Sequence, residues 1–151
     1  MDIKTFSIVL LGILALVILA IWVIKSRMVS SRRGSVFDDM YGDEFEEYCA
    51  NLLIKAGFEE VEMTPGSHDY GIDIIAQKDG VSYGIQCKCY SDTVGIKAVQ
   101  EAYSGKDYYD LMVGVVMTNQ YLSKPAIDFA KKLKVLLWDG DHIEQLIELT
   151  K

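Results

Sequence analysis

The sequence predicts a mixed α/β fold: a β-sheet flanked by helices, in the order α-β-β-β-α-β-α-β-α, preceded by one transmembrane helix. Three observations carry this reading. Twenty consecutive uncharged residues, Thr5 to Ile24, lie between Lys4 and Lys25. From Asp43 onward the apolar pattern alternates between helical and strand periods at short intervals. One run, Leu111–Thr118 (LMVGVVMT), is apolar almost throughout, as suits a central strand covered on both faces.

The amino-terminal stretch comes first. Twenty helical residues span about 30 Å, the hydrocarbon thickness of a bilayer. Trp22 stands where an interfacial aromatic would, and Lys25, Arg27, Arg32 and Arg33 follow. A cleaved signal peptide would have a shorter apolar core and a small-x-small site, and a buried globular helix would show a polar face. Residues 5–24 therefore read as a membrane anchor. Residues 1–34 carry five basic side chains and one acidic, and four of the five follow the span. The positive-inside rule then predicts a single-pass protein of the cell membrane, amino terminus outside and folded domain in the cytoplasm. Three cysteines, an odd number, suit a reducing compartment better than a disulfide scaffold. Residues 25–42 (KSRMVSSRRGSVFDDMYG) lack an apolar period and read as a basic juxtamembrane tether. Its charges would lie against anionic lipid or hold nucleic acid.

Residues 43–151 form the expected globular domain. Phe45, Tyr48, Cys49, Leu52, Leu53 and Ala56 follow a helical period from Asp43, and Gly57 ends it. Phe58–Met63 is a short strand closed by Thr64-Pro65-Gly66. Ile72–Gln77 and Val81–Cys89 are strands joined through Asp79-Gly80, a strong hairpin signal. Ile96–Lys106 is a helix whose stripe is Ile96, Val99 and Tyr103, and Leu111–Thr118 is the central strand. Ser123 caps a helix with Pro125 in its first turn, ending near Leu133. Lys134–Trp138 is the last strand, Asp139-Gly140 a turn and Asp141–Leu149 an amphipathic final helix.

The hairpin gathers the chemistry. A two-residue Asp79-Gly80 loop pairs Lys78 with Val81, and hence Asp73 with Gln86. Alternation places Asp73, Ile75, Gln77, Ser82, Gln86 and Lys88 on one face, and Ile72, Ile74, Ala76, Tyr83, Ile85, Cys87 and Cys89 on the core face. A carboxylate and an amide oxygen can ligate a hard divalent cation. A lysine two residues on can steer or deprotonate an attacking water and offset phosphate charge. An ordinary exposed hairpin face also carries Asp, Gln and Lys, so periodicity alone leaves both readings open.

Gly71-Ile72-Asp73-Ile74-Ile75, followed by Gly84-Ile85-Gln86-Cys87-Lys88 with Asp69 upstream, resembles the Mrr-like branch of the restriction-endonuclease-like nucleases. The resemblance covers roughly Asp43–Leu149. It implies a PD-(D/E)xK type site, with Gln for the middle acid, that hydrolyses DNA phosphodiesters with Mg²⁺ or Mn²⁺. It makes Asp73 the metal-binding acid, Gln86 the middle ligand, Lys88 the catalytic lysine and the Cys87 main-chain carbonyl a further metal ligand. Glu46 matches the amino-terminal helix Glu. The helical wheel separates it less well, since Glu44 and Glu46 lie on opposite margins of the apolar stripe. Asp69, His68 and Gln100 are accessory candidates, for which loop polarity and solvent exposure serve equally as explanations. Tyr103, Tyr108 and Tyr109 offer base stacking or core packing.

One feature runs against DNA as a partner. Residues 35–151 hold ten Lys, no Arg and 21 acids, a formal −11, whereas duplex binding relies on cations meeting phosphates. Either the lysines gather on one face, with Lys78, Lys88, Lys97 and Lys106 as its members, or DNA is held weakly and engaged through a homo-oligomer or partners. The sequence thus predicts a membrane-anchored, metal-dependent DNA endonuclease restricting incoming or modified DNA. The alternative is a catalytically silent nuclease-fold module that binds nucleic acid or protein.

Overall fold

The computed structural model describes residues 12–23, 37, 40–66 and 70–151. The chain divides into two compact units, Met1–Val36 and Phe37–Lys151. In the first, residues 12–23 are helical (α1). No helix among the described residues is long and apolar enough to cross a membrane. This corrects the expected transmembrane helix and the single-pass placement built on it, because flanking charges orient only a segment that spans. Residues 5–11 and 24 of that expected span, and 25–36, 38 and 39 of the expected tether, lie outside the described residues.

The second unit holds α2 (Gly42–Lys55), β1 (Glu59–Met63), β2 (Ile74–Lys78), β3 (Val81–Lys88), α3 (Ile96–Tyr108), β4 (Val113–Thr118), α4 (Lys124–Leu133), β5 (Leu136–Trp138) and α5 (Gly140–Leu149). The order is the one the periodicity predicts. The sheet runs β1-β2-β3-β4-β5. Its first three strands are antiparallel, whereas β4 and β5 lie parallel to β3. A parallel neighbour requires a crossover, and α3 and α4 supply the two.

Each sheet face has its own core. On one side Phe45, Cys49 and Leu53 of α2 and Ile143 of α5 pack on Ile74, Ala76, Ile85, Val115 and Met117. On the other, Ala98, Val99 and Ala102 of α3 and Ala126 and Ala130 of α4 pack with Val116 and Val135. Phe37, expected in the tether, belongs to the first core. It is buried, with its ring edge-on to Phe45 at 5.6 Å and Tyr48 at 5.4 Å.

The hairpin register follows the two-residue loop: Lys78 faces Val81 and Ile74 faces Ile85. Asp79 and Gly80 have φ of 52° and 77°, the paired positive values that an Asp-Gly type I′ turn needs. Two local expectations fail. The described strand begins at Ile74 instead of Ile72, after positive φ at Tyr70 and Gly71. Ile72 then reaches towards α3, where its side chain would meet a Cβ at Gly84 or Gly105. In α3 the buried stripe is Ala98, Val99, Ala102 and Gly105, and Tyr103 is exposed. Small residues let this helix sit close, so the aromatic turns outward.

Two predictions follow from this packing. A Cβ at Gly105 would stand 2.6 Å from both the Tyr70 carbonyl oxygen and the Ile72 side chain. Gly105→Ala is therefore expected to destabilise the domain by about 1–3 kcal/mol in urea unfolding, although alanine favours a helix by about 1 kcal/mol. The second concerns His142, whose ring stacks on Trp138 at 5.3 Å and 3°. Burial lowers its pKa, and Asp139 only partly opposes this. The fold thus favours neutral imidazole: its contribution is complete above about pH 6.5 and is lost as pH falls through the lowered folded value. His142→Phe should flatten this part of the stability–pH curve, and an unchanged slope would refute the assignment.

Candidate active site

Asp73 and Gln86 do not sit on an exposed hairpin face. They are 5% and 3% accessible, in a sheet whose α3 side is covered. Isolated burial of a carboxylate is costly, and here two donors meet it. The Cys87 backbone N–H donates to Asp73 Oδ2 at 2.6 Å, and Gln86 Nε2 donates to the same oxygen. Gln86 Nε2 also donates to the Cys87 carbonyl at 3.3 Å. One amide group thus draws together the Asp73 carboxylate and the Cys87 carbonyl oxygen. Backbone pairing fixes the arrangement, since the Asp73 N–H donates to the Ile85 carbonyl at 2.9 Å.

Lys88 closes the cluster at the end of β3. Its Nζ lies 2.9 Å from Glu101 Oε2 on α3, and Lys97 reaches the other oxygen of Glu101 at 3.7 Å. Burial alone would lower the Lys88 pKa, but pairing with Glu101, helped by Asp73 and Tyr90, raises it overall. The side chain is held as an ammonium. The sequence offers Gln100 and not Glu101 as an accessory candidate on this helix; Gln100 is exposed, and its carbonyl accepts from Ser104. The available signal was topological. A crossover helix following β3 lays its first turns beside the carboxyl end of that strand.

On α2, the Tyr41 N–H donates to Glu44 at 2.9 Å, so that acid serves the helix start. Glu47 is exposed and Glu46 half-buried. The thiol of Cys87 is raised well above its usual pKa by its hydrogen bond with Cys49, by burial, and by the carboxylates of Asp73 and Glu46. Glu46 therefore acts electrostatically on the same short segment as Asp73. The protonated, buried Cys87 thiol leaves its main chain as the part that faces the site. Asp69 and His68 lie outside the described residues.

Among the described residues, no group of three or more His, Cys, Asp or Glu stands ready to hold a metal ion. The hairpin donors are of another kind: one carboxylate, one amide and one main-chain carbonyl. Nor do the four lysines form a free basic face. Lys78 donates to the Ala56 carbonyl at 2.8 Å and lies over the Phe58 ring, Lys88 and Lys97 share Glu101, and Lys106 pairs with Asp107.

A family model described as Mrr_cat, restriction endonuclease, matches residues 37–147. The chain belongs to this restriction endonuclease family. Solved structures share the fold. A protein of unknown function, AF1548, superposes with a TM-score of 0.60 at 24% identity, over 69% of this chain and 64% of that one. The DNA modification-dependent restriction endonuclease AspBHI gives 0.57 at 20% identity, over 82% of this chain and 35% of its own. The MspJI restriction endonuclease, in complex with a 27-mer oligonucleotide, gives 0.56 at 17% identity, over 80% and 30%. At these identities the likeness shows the fold, and this chain spans less than two thirds of each of those chains. No curated protein matches the chain.

The bonds to Asp73 yield a stability prediction. Asp73→Ala leaves the Cys87 N–H and the Gln86 amide without their buried acceptor, at an expected cost of about 1–3 kcal/mol in urea unfolding. Asp73→Asn retains one acceptor oxygen and should cost less. Equal stability of the alanine variant and the unaltered chain would show that these bonds contribute nothing net.

Proposed function

We propose that this chain cleaves DNA phosphodiesters with a divalent cation held at the Asp73–Gln86–Lys88 hairpin. The observation that carries the reading is the convergence of Asp73 Oδ2 and the Cys87 carbonyl on a single buried amide donor, beside a lysine held as an ammonium. Two oxygens that share one donor also suit one hard cation, and a half-turn of the Gln86 amide would present its oxygen as a third ligand. Membership of the Mrr_cat family supports nuclease chemistry, and the oligonucleotide bound to MspJI supports DNA as the polymer.

In this reading Asp73, Gln86 and the Cys87 carbonyl hold Mg²⁺ or Mn²⁺, with Glu46 near the same segment. When bound, the cation supplies an activated water and neutralises charge on the scissile phosphate. Asp73 gives the position its negative charge, and the Cys87 N–H fixes that carboxylate. Gln86 adds an oxygen without a second charge. Lys88, steadied by Glu101, directs its ammonium at the phosphate and at the water that attacks it.

The test uses the full chain, supercoiled plasmid and Mg²⁺ or Mn²⁺. Nicking or linearisation is expected, with loss in EDTA. Asp73→Asn and Lys88→Ala should each lower the rate by about 10²-fold or more while keeping the folded circular-dichroism spectrum. Cleavage that persists in EDTA, or in Asp73→Asn, would sink the reading. DNA binding without cleavage under any metal would make the chain a nuclease-fold binding module.

A further inference from the structure

Tyr70 is the one aromatic residue with positive φ among the described residues, at 50°. A bulky L-residue in this region costs on the order of 1–3 kcal/mol. Burial does not offset it, because Tyr70 is 52% accessible. The ring is nonetheless fixed. It stacks on Tyr108 with centroids 3.8 Å apart and planes at 21°. Tyr109 stands edge-on, 5.0 Å from Tyr108 and 6.5 Å from Tyr70. Tyr108 is 59% accessible, so each stacked ring gives one face to its partner and keeps an outer side for something else.

The position of the pair says what that is. Tyr70 lies three residues before Asp73. Tyr108 lies seven residues after Glu101, on the same face of α3 and about 10 Å along its axis. That is about three nucleotide steps at 3.4 Å per step. Along this stretch Lys88, Lys97 and Lys106 are all paired with acids, so attraction to phosphates is weak where aromatic surface is plentiful. Stacking tolerates any base and does not depend on cations, but it requires a base that is not already stacked in a duplex.

Resting on the catalytic reading above, we propose that Tyr70 and Tyr108 form a stacking platform for an unpaired nucleobase, making single-stranded or locally unpaired DNA the preferred substrate of this site.

The test is equilibrium binding of the full chain to a short fluorescein-labelled single strand and to the matching duplex. It is run in Ca²⁺ at low and at raised salt, and does not depend on cleavage. The single strand should bind more tightly, most clearly at raised salt. Tyr108→Ala should weaken it by about 5- to 150-fold, the range for losing one stacked base. Tyr70→Gly should do the same, with thermal stability unchanged or higher, because glycine accepts the positive φ without strain. That pairing of lost binding with retained stability separates a platform from a packing role. Unaltered binding in both variants, tighter duplex binding by the unaltered chain, or no binding at all would overturn the proposal. Failure of the catalytic reading shows separately, as cleavage unaffected by Asp73→Asn, and leaves the binding comparison decisive.

Discussion

The closeness of α3 to the chain entering β2 governs the geometry of this domain. A Cβ at Gly71 would stand 2.6 Å from the Glu101 carbonyl oxygen, and one at Gly105 would stand 2.6 Å from the Tyr70 carbonyl oxygen. Backbone therefore meets backbone, with Ala98 and Ala102 extending the small-residue stripe. Because interiors are close-packed and transmit displacement, this seam sets several distances together. It brings Glu101 to Lys88, brings Tyr108 beneath Tyr70, and holds the peptide preceding Asp73. A wider seam would separate the two halves of the site before it disturbed either core.

The second organising fact is electrostatic. The hairpin buries one carboxylate where an acidic pair would bury two. Two buried like charges cannot both stay ionised without a compensating cation. With Gln86 as neighbour, Asp73 instead receives an N–H from that side chain and another from Cys87. The buried carboxylate is thereby met by donors of the protein itself. This suits a domain with a large excess of acids, where a second buried charge would add to repulsion already present.

The sequence was most legible where a local rule has one solution. Asp79-Gly80 dictated the turn, and the turn dictated the register from Lys78 opposite Val81 to Ile74 opposite Ile85. Long apolar periods gave the element order. What stayed hidden depends on tertiary context. Phe37 lies in a stretch without apolar period, so nothing local marked it for the core. Tyr103 looked like a stripe residue until the helix came too close to admit it. Glu101 has meaning only once the crossover lays α3 beside Lys88, and no propensity would place a tyrosine at the φ of Tyr70. The apolar run at residues 5–24 satisfied every compositional criterion for a bilayer span. Hydropathy reports how favourable burial would be, whereas no helix among the described residues is long and apolar enough to cross a membrane.

The sheet's outer strand carries a further consequence. β1 reads Glu-Glu-Val-Glu-Met, its pairing with β2 slips between Glu59 and Glu62, and Glu60 there has a φ of 48°. Glu60 also accepts from Gln77 on the neighbouring strand. An interrupted ladder fringed with like charges is a poor template for another strand. A second copy approaching this border would set glutamates against glutamates over a backbone already out of step. Growth of the sheet from one molecule into the next is disfavoured on that side, which leaves the strand's outer backbone groups to water.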